Sequence, residues 1–240
     1  MTDIVKPIEP AAATTVPADG TAGLAIWDLP VRLFHWCLPL LLICAWWTAE
    51  ERQLEWHRLT GYAILTLIIW RLAWGIVGSS TARFTQFVSG PKAVLAYVRN
   101  GAQRHDARHP GHNPLGGWSV LAMIAALATQ IMLGFFAVDV DGMESGPLSY
   151  LVDFDTGRLA ANAHEIVFNI LIGLVGLHIA AILFHRIYKR EDLISPMVHG
   201  KKRWTGDAPR LTIAPSWLAL LLLAGSVALV WLVLKYSQPW

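Results

Sequence analysis

Long apolar segments separated by short polar ones run through most of the chain. Five of them are long enough to cross about 30 Å of hydrocarbon as helices that rise about 1.5 Å per residue. They cover residues 33–49, 57–77, 116–138, 161–187 and 215–235. The runs are continuous and lack the two-residue alternation of a membrane barrel strand. The pattern therefore predicts an all-α integral membrane protein with five transmembrane helices.

Residues just outside the apolar runs predict where two helices begin. Asp28 is a suitable N-cap with Pro30 in the first helical turn, so the first helix can begin as early as Leu29. Asn113 before Pro114 has the same form at the start of the third span. The first 24 residues have no apolar core, and we expect a disordered tail over residues 1–26.

Composition narrows the class of protein. Hydrophobic residues make up 55% of the chain and charged residues only 15%, against about 25% charged in a soluble domain, which argues against a water-soluble enzyme. A formal net charge of +2 gives a nucleic-acid binder no charge excess to use. Cys37 and Cys44 both lie in the first apolar run and predict neither a disulfide framework nor a zinc site. The sequence contains no Cys-x-x-Cys-His, which excludes covalently attached c-type haem.

The charges of the loops predict the orientation of the chain. Short loops rich in Lys and Arg stay in the cytoplasm. Basic residues predominate in residues 79–115 and 189–210, whereas acidic residues predominate in residues 50–55 and 139–162. All four loops agree on a cytoplasmic N-terminus and, after the fifth span, a C-terminus on the outer side.

Four histidines lie inside or at the edges of the predicted spans: His35, His57, His164 and His178. Polar residues are costly within a span and by default indicate function. His164 and His178 are separated by about 21 Å of helical rise and nearly four full turns, so they share one face at two depths. The predicted topology places His57 near His164 toward the outside, and His35 near His178 toward the cytoplasm.

Each pair could clamp a flat macrocycle from both sides, as imidazoles from facing helices do when they hold haem. Two b-type haems stacked in this way would conduct electrons across the membrane. Gly61, Gly173 and Gly176 would leave room for a porphyrin against their helices. A single intramembrane histidine is often only a hydrogen-bonding partner between helices, but four that pair by depth are much harder to explain in that way.

Three arginines fit the same arrangement. Arg71 follows His57 by fourteen residues and lies at the depth of the inner haem, where a buried guanidinium needs a fixed anion such as a haem propionate. Arg32, one turn before His35, and Arg58, beside His57, would do likewise for their nearer haems. Arg32 and Arg58 could instead be snorkelling residues at the membrane interface.

The other histidines have simpler explanations. His185 lies on the face of His178 but at the end of the span, where an interfacial position is expected. Four histidines are in inner loops, where solvated histidine is the ordinary expectation: His105, His109, His112 and His199. The spacing of the first three also allows a zinc site, but a further clear ligand is missing.

Several motifs occur in a fixed order along the chain. They are WDLPVRLFHW (27–36), EWHRLTGY (55–62), RLAWGIVGS (71–79), GPKAVLAYVR (90–99), GHNPLGG (111–117), AHEI (163–166), LHIAAILFH (177–185) and KREDLISPMVHGKKR (189–203). Together they cover about residues 27–203 and resemble the bacterial cytochrome b561 and nickel-iron hydrogenase cytochrome b subunit family.

The resemblance implies a four-helix membrane bundle with two haem b groups, whose ligands on helices one, two and four match His35, His57, His164 and His178. It also implies a bacterial inner membrane and electron transfer between an outer partner, such as a hydrogenase or a c-type cytochrome, and the quinone pool. Residues 1–26 would then be a cytoplasmic tail, 27–203 the di-haem domain, and 204–240 a linker and a fifth transmembrane helix with a periplasmic end.

The chain departs from the family pattern in two ways. It has a fifth span, and its turn between the first two spans is short. The short turn argues against hydrogenase as the partner. In similar subunits of formate dehydrogenases, an Asn at the junction of the inner loop and third helix lies at the quinone pocket. The resemblance therefore nominates Asn113, and then Gly116, for quinone binding. N-capping of the third helix is at least as good an explanation of Asn113.

Three functions remain compatible with the sequence. The leading one is an electron-transfer cytochrome b that joins an outer redox partner, such as a periplasmic c-type cytochrome, to membrane quinone. The acidic outer loop could steer a basic partner. The second keeps the haems but makes the chain a self-contained superoxide or quinone oxidoreductase, so enzymatic activity stays open. A distant third is a haem-free membrane anchor or transporter whose histidines bind a metal or protons.

Overall fold

The computed structural model describes residues 22–100, 109–140, 144–204 and 207–237. Within these ranges, five helices are long and apolar enough to cross a membrane. They are α1 (Leu29–Glu50), α2 (Leu54–Val77), α5 (Pro114–Phe136), α6 (Phe154–Phe184) and α8 (Ser216–Tyr236). Shorter helices are α3 (Phe84–Phe87), α4 (Pro91–Asn100) and α7 (Ile194–His199), and α6 continues into a π-helical turn over His185–Lys189. The prediction of an all-α membrane protein with five spans is confirmed.

Side-chain caps fix where three of the long helices begin. Asp28 Oδ1 accepts the Val31 N–H over 2.7 Å and α1 begins at Leu29, as predicted. Asn113 Oδ1 likewise accepts the Gly116 N–H over 2.7 Å at the start of α5. Asp153 accepts the Thr156 N–H over 2.9 Å, so α6 begins well before the predicted residue 161. Its first turns are polar, and apolar length alone does not detect them.

A small antiparallel sheet joins the start of the described chain to its later part. Strand β1 (Ala22–Ala25) pairs with strand β2 (Lys201–Trp204). The N–H groups of Ile26 and Trp27 both donate to the Gly200 carbonyl, over 2.9 and 3.1 Å. The predicted disordered tail over 1–26 is therefore wrong for its last residues, because β2 satisfies their backbone groups. Residues 1–21 lie outside the described part of the chain.

The long helices form two hairpins, α1 with α2 and α5 with α6, which meet where α2 packs on α5. An apolar core fills this junction and comprises Ile64, Ile68, Leu127, Ile131, Phe135 and Leu171. The backbones of α1 and α2 make few close contacts with the backbone of α6, whereas the two helices within each hairpin pack closely together. The four intramembrane histidines meet in two pairs between α6 and the first hairpin, and this region is called the gap below.

The fifth span packs against the bundle. Helix α8 lies along α2, where Trp70 Nε1 donates to the Ala219 carbonyl over 3.0 Å. The linker before it is bound to the end of α2, because Ser79 Oγ accepts the Ala214 N–H over 3.0 Å. Trp27, Trp70, Trp74 and Ala219 share a second apolar core at this end of the molecule. Helix α8 therefore covers the side of α2 that is turned away from the gap.

Candidate functional site

The histidine pair that loop charge predicts to be the outer one meets across the gap between α2 and α6. The ring centres of His57 and His164 lie 6.0 Å apart with an interplanar angle of 76°. Nδ1 of His57 lies 2.8 Å from the Ala45 carbonyl oxygen, and Nδ1 of His164 lies 2.8 Å from that of Gln130. A carbonyl oxygen can only accept, so each Nδ1 carries a hydrogen, and in the neutral imidazole each Nε2 then keeps a free lone pair.

The inner pair meets between α1 and α6. The ring centres of His35 and His178 lie 6.4 Å apart with an interplanar angle of 54°. Trp36 packs edge-on against His35, with 5.0 Å between ring centres. Nδ1 of His35 is buried and has no hydrogen-bond partner among the described residues. The structure thus brings together the two pairs that were predicted from depth.

These separations fit imidazoles on opposite sides of one metal. A metal–imidazole bond of about 2.0–2.1 Å, plus about 1.1 Å from that nitrogen to the ring centre, puts two opposed ring centres about 6.3 Å apart. The observed distances of 6.0 and 6.4 Å lie on either side of that value. The histidine donors present are therefore suited to a bis-histidine haem iron at each depth.

Glycines shape the helix faces around the histidines. A Cβ atom added to Gly61, Gly173 or Gly176 would meet nothing within 4 Å, so open space lies where room for a macrocycle was predicted. Gly134 differs, since a Cβ there would lie 3.1 Å from Cε1 of His164. Gly134 and Gln130 both lie on α5, which contributes no histidine. Sequence reasoning therefore missed them.

Arg71 is buried, with 4% of its surface exposed. The carbon of its guanidinium lies 5.1 Å from the ring centre of Phe84 and 5.9 Å from that of Phe87. Nη1 is buried without a hydrogen-bond partner among the described residues. Asp28, whose charge acts on Arg71, accepts hydrogen bonds from Val31 N–H and from Trp74 Nε1, the latter over 3.1 Å. The guanidinium can therefore donate to a further acceptor, which the described residues do not supply.

The other two predicted propionate residues have protein partners. Arg32 Nη1 donates to the Val198 carbonyl over 2.6 Å, while its Nε is buried and unpartnered within the described residues. Gly200, at a backbone φ of +82°, brings its chain against this side chain. Arg58 Nη1 lies 3.5 Å from Glu144 Oε2 at the opposite end of the bundle. One end of the bundle therefore contains the pair His35 and His178 with Arg32 and Arg71. The opposite end contains the pair His57 and His164 with Arg58.

The expectation of a solvated His112 is wrong. Its ring packs 4.9 Å from that of Trp27 and 4.7 Å from that of Phe87, between centres, and its Nδ1 is buried without a partner in the described chain. Burial, followed by the charges of Arg71, His178 and His35, lowers the pKa of His112 to about 3, so the imidazole is neutral near pH 7. The sequence did offer one sign that His112 is held in place: it adjoins Asn113, whose side chain caps α5 and fixes the end of this loop.

No group of three or more His, Cys, Asp or Glu residues in the described ranges could hold a metal ion. His105, one member of the spacing that suggested zinc, lies outside those ranges. His109 packs near Tyr97, with 6.2 Å between ring centres. The structure thus adds no support for zinc in this loop.

His185 takes part in a separate polar cluster at the end of α6. Its Nδ1 lies 2.8 Å from Glu191 Oε2, and Lys202 Nζ donates to Glu191 Oε1 over 2.7 Å. Burial alone would raise the pKa of Glu191, but the hydrogen bonds from His185 and Lys202 and the charge of Lys202 lower it to about 2. The cluster joins the end of α6 to β2, and this partnership accounts for His185.

Asn113 and Gly116 are engaged with each other. The Gly116 N–H donates to Asn113 Oδ1 and caps α5, and the side-chain amide hydrogens of Asn113 stay free to donate to a ligand. A cavity of about 130 Å³ lies beside this junction, lined by Gln86, Phe87 and His112 among others, but not by Asn113. The structure confirms that Asn113 caps α5, and the Gly116 N–H is occupied by this hydrogen bond.

Comparison with known proteins gives the family. The family model described as prokaryotic cytochrome b561 matches residues 26–200. No curated protein and no solved structure matches the chain. The matched region runs from the end of β1 through α7 and contains all four histidines of the gap. Since it covers well over half of the sequence, the chain belongs to the prokaryotic cytochrome b561 family, whose members are multi-pass bacterial membrane proteins that bind haem b and transfer electrons.

Proposed function

We propose that this chain is a di-haem cytochrome b that passes electrons between a redox partner outside the bacterial inner membrane and the quinone pool. The observation that carries the proposal is the presence of two facing histidine pairs, with ring centres 6.0 and 6.4 Å apart, at two depths of one helix bundle. Haem, when bound, supplies an iron that accepts and releases single electrons.

His57 and His164 would hold the outer haem, and His35 and His178 the inner one. Family membership supports haem b, and the open faces at Gly61, Gly173 and Gly176 support its position in the gap. The bonds from His57 and His164 to the carbonyls of Ala45 and Gln130 orient the outer rings and make their free nitrogens better donors. Such outer contacts tune ligand geometry and potential.

The three arginines would balance the charge of the haem carboxylates. Arg71 is the best supported, because it is buried and its Nη1 has no partner among the described residues. Arg32 would act at the same haem through its Nε while its Nη1 stays on the Val198 carbonyl. Arg58 would act at the outer haem, where its contact with Glu144 is long and exposed enough to exchange.

Quinone would bind near the inner haem. Asn113 is the candidate donor, since its amide hydrogens stay available while its oxygen caps α5. The assignment of Gly116 is weaker, because its N–H is already bonded to Asn113.

The outer partner would meet an acidic surface. Asp139, Glu144 and Asp153 lie between α5 and α6, and Asp155 lies in the first turn of α6. Loop charge supports a periplasmic position for this segment. The same rule supports a cytoplasmic N-terminus and a periplasmic C-terminus. A basic partner such as a c-type cytochrome would be steered by this charge, so its association rate should fall with ionic strength. A salt-independent rate would argue against steering.

Haem analysis of the purified chain tests the proposal. We expect about two b haems per chain by pyridine haemochrome, with both haems reduced by a short-chain quinol. A folded, haem-free protein would overturn the proposal. Full haem content without reduction by quinol would overturn only the quinone part.

A further inference from the structure

Two buried nitrogen atoms at the inner end of the bundle have no hydrogen-bond partner among the described residues, and both can donate: the guanidinium in its charged form, and the imidazole in the tautomer that carries its hydrogen on Nδ1. Arg71 Nη1 and His112 Nδ1 are both buried, and neither has a partner within the described ranges. Buried polar groups are nearly always hydrogen-bonded, and leaving one unpaired is costly. Two such atoms on neighbouring side chains indicate one missing acceptor group.

Phe87 holds the two side chains side by side. Its ring centre lies 4.7 Å from that of His112 and 5.9 Å from the guanidinium carbon of Arg71. Burial, and then the positive charge of Arg71, lower the pKa of His112. Arg71 follows His57 by fourteen residues on α2, which places the guanidinium and the neighbouring His112 at the depth of the inner histidine pair.

The missing acceptor is expected to be an anion. No carboxylate of the described chain lies within ion-pair distance of Arg71. The charge of Asp28 acts on Arg71 from farther away, but its two oxygens accept from Val31 and Trp74 and not from the guanidinium. A buried guanidinium is stabilised by a compensating negative charge, which a neutral quinone carbonyl does not provide. His112, being neutral near pH 7, adds one N–H donor and no second charge.

We propose that Arg71 and His112 together bind a carboxylate of the inner haem, with His112 as a positioning residue that was not expected from the sequence. The inference rests on the proposed di-haem function and adds a residue to it. Guanidinium and imidazole N–H groups would bond to the carboxylate oxygens, and Phe87 would keep both donors in place.

A redox titration of quinone-free protein tests this assignment. His112→Leu removes the donor at similar volume, His112→Gln keeps a donor, and His109→Gln is the control in the same loop. We expect His112→Leu to lower the midpoint potential of the inner haem only, because a less compensated carboxylate favours the more positive ferric state. His112→Gln should lie closer to wild type, and His109→Gln should not differ from it.

The results of these measurements separate the possibilities. Unchanged haem potentials in His112→Leu would overturn the assignment, and a raised KM for quinol alongside them would make quinone the acceptor instead. If His112→Leu does not accumulate, the carboxylate bands in the redox infrared difference spectrum of His112→Gln serve as the readout. A shifted band supports the proposal and unshifted bands overturn it. Wild-type protein without haem would overturn the proposed function itself.

Discussion

The Nδ1 nitrogen of His164 lies 2.8 Å from the backbone carbonyl oxygen of Gln130, on the neighbouring helix α5. Helix α5 supplies no histidine to the gap, yet it fixes the tautomer and the rotation of one on α6. One turn farther along α5, Gly134 leaves the space that this ring occupies. The outer site therefore depends on a helix whose sequence carries no sign of a ligand.

Gly134→Ala should weaken the outer haem site. The added Cβ would lie 3.1 Å from His164 Cε1, a crowded contact of the kind that costs about 1 kcal/mol or more. Gly225→Ala in α8, where a Cβ meets nothing within 4 Å, is the control for the helix-propensity gain of about 1 kcal/mol. We expect faster haem transfer to apomyoglobin from one site in Gly134→Ala only. Equal rates in the two variants would contradict the role of Gly134.

Asp28 should stabilise the inner end of the fold through both carboxylate oxygens. One caps α1 and the other accepts from Trp74 Nε1. Asp28→Ala loses both bonds and should cost about 2–4 kcal/mol. Asp28→Asn keeps one acceptor, because its NH₂ group cannot accept, and should cost less. Thermal unfolding in detergent measures both variants.

A double-mutant cycle separates the two roles of Asp28. In a Trp74→Phe background, Asp28→Asn should cost less than in wild type, since the donor that it leaves unpaired is gone. Identical costs in the two backgrounds would show that the bond between Trp74 and Asp28 contributes nothing.

The cluster of Glu191, His185 and Lys202 should make stability depend on acid pH. The pKa of Glu191 is lowered to about 2 in the folded protein, whereas an unfolded glutamate titrates near about 4.3. A depressed folded pKa gives stability that is complete above the unfolded value and is lost as pH falls toward about 2. We expect Tm to fall from pH 5 to pH 3, and less steeply in Glu191→Gln. Glu50→Gln, at the end of α1, is the control, and an unchanged slope in Glu191→Gln would contradict this account.

Asn113 can be tested for its two roles separately. Asn113→Asp keeps an N-cap of similar strength but removes the amide hydrogens, whereas Asn113→Ala loses both the cap and the donor, at about 1 kcal/mol for the cap. If Asn113 binds quinone, both variants should slow quinol-linked haem reduction while the haem spectrum stays unchanged. Slow kinetics in Asn113→Ala alone would leave only the capping role.

The spans and the histidine pairs could be predicted because membrane insertion makes long apolar runs necessary and polar residues within them exceptional. Local capping was also predictable, since Asp28 and Asn113 bond to N–H groups three residues away. These features depend on near neighbours in the sequence and on depth in the bilayer. His164 and His178 share a helix face for the same reason.

The remaining features depend on contacts that are remote in sequence. Strand β1 has four residues with little strand signal, and its partner is β2 near the other end of the matched region. The ring of His112 packs against Trp27 and Phe87, which are far from it in the sequence, and its Nδ1 is buried. Gly134 matters only through a ring on α6. No local pattern carries such information.

The central claim is that His57 pairs with His164 and His35 with His178. The most direct test is a spectroscopic redox titration of purified wild type and of four single variants, His35→Ala, His57→Ala, His164→Ala and His178→Ala. We expect two b-haem transitions in wild type, with His57→Ala and His164→Ala losing or perturbing the same one. His35→Ala and His178→Ala should affect the other. If His57→Ala and His164→Ala affect different haems, or if all four variants retain wild-type transitions, the pairing is wrong.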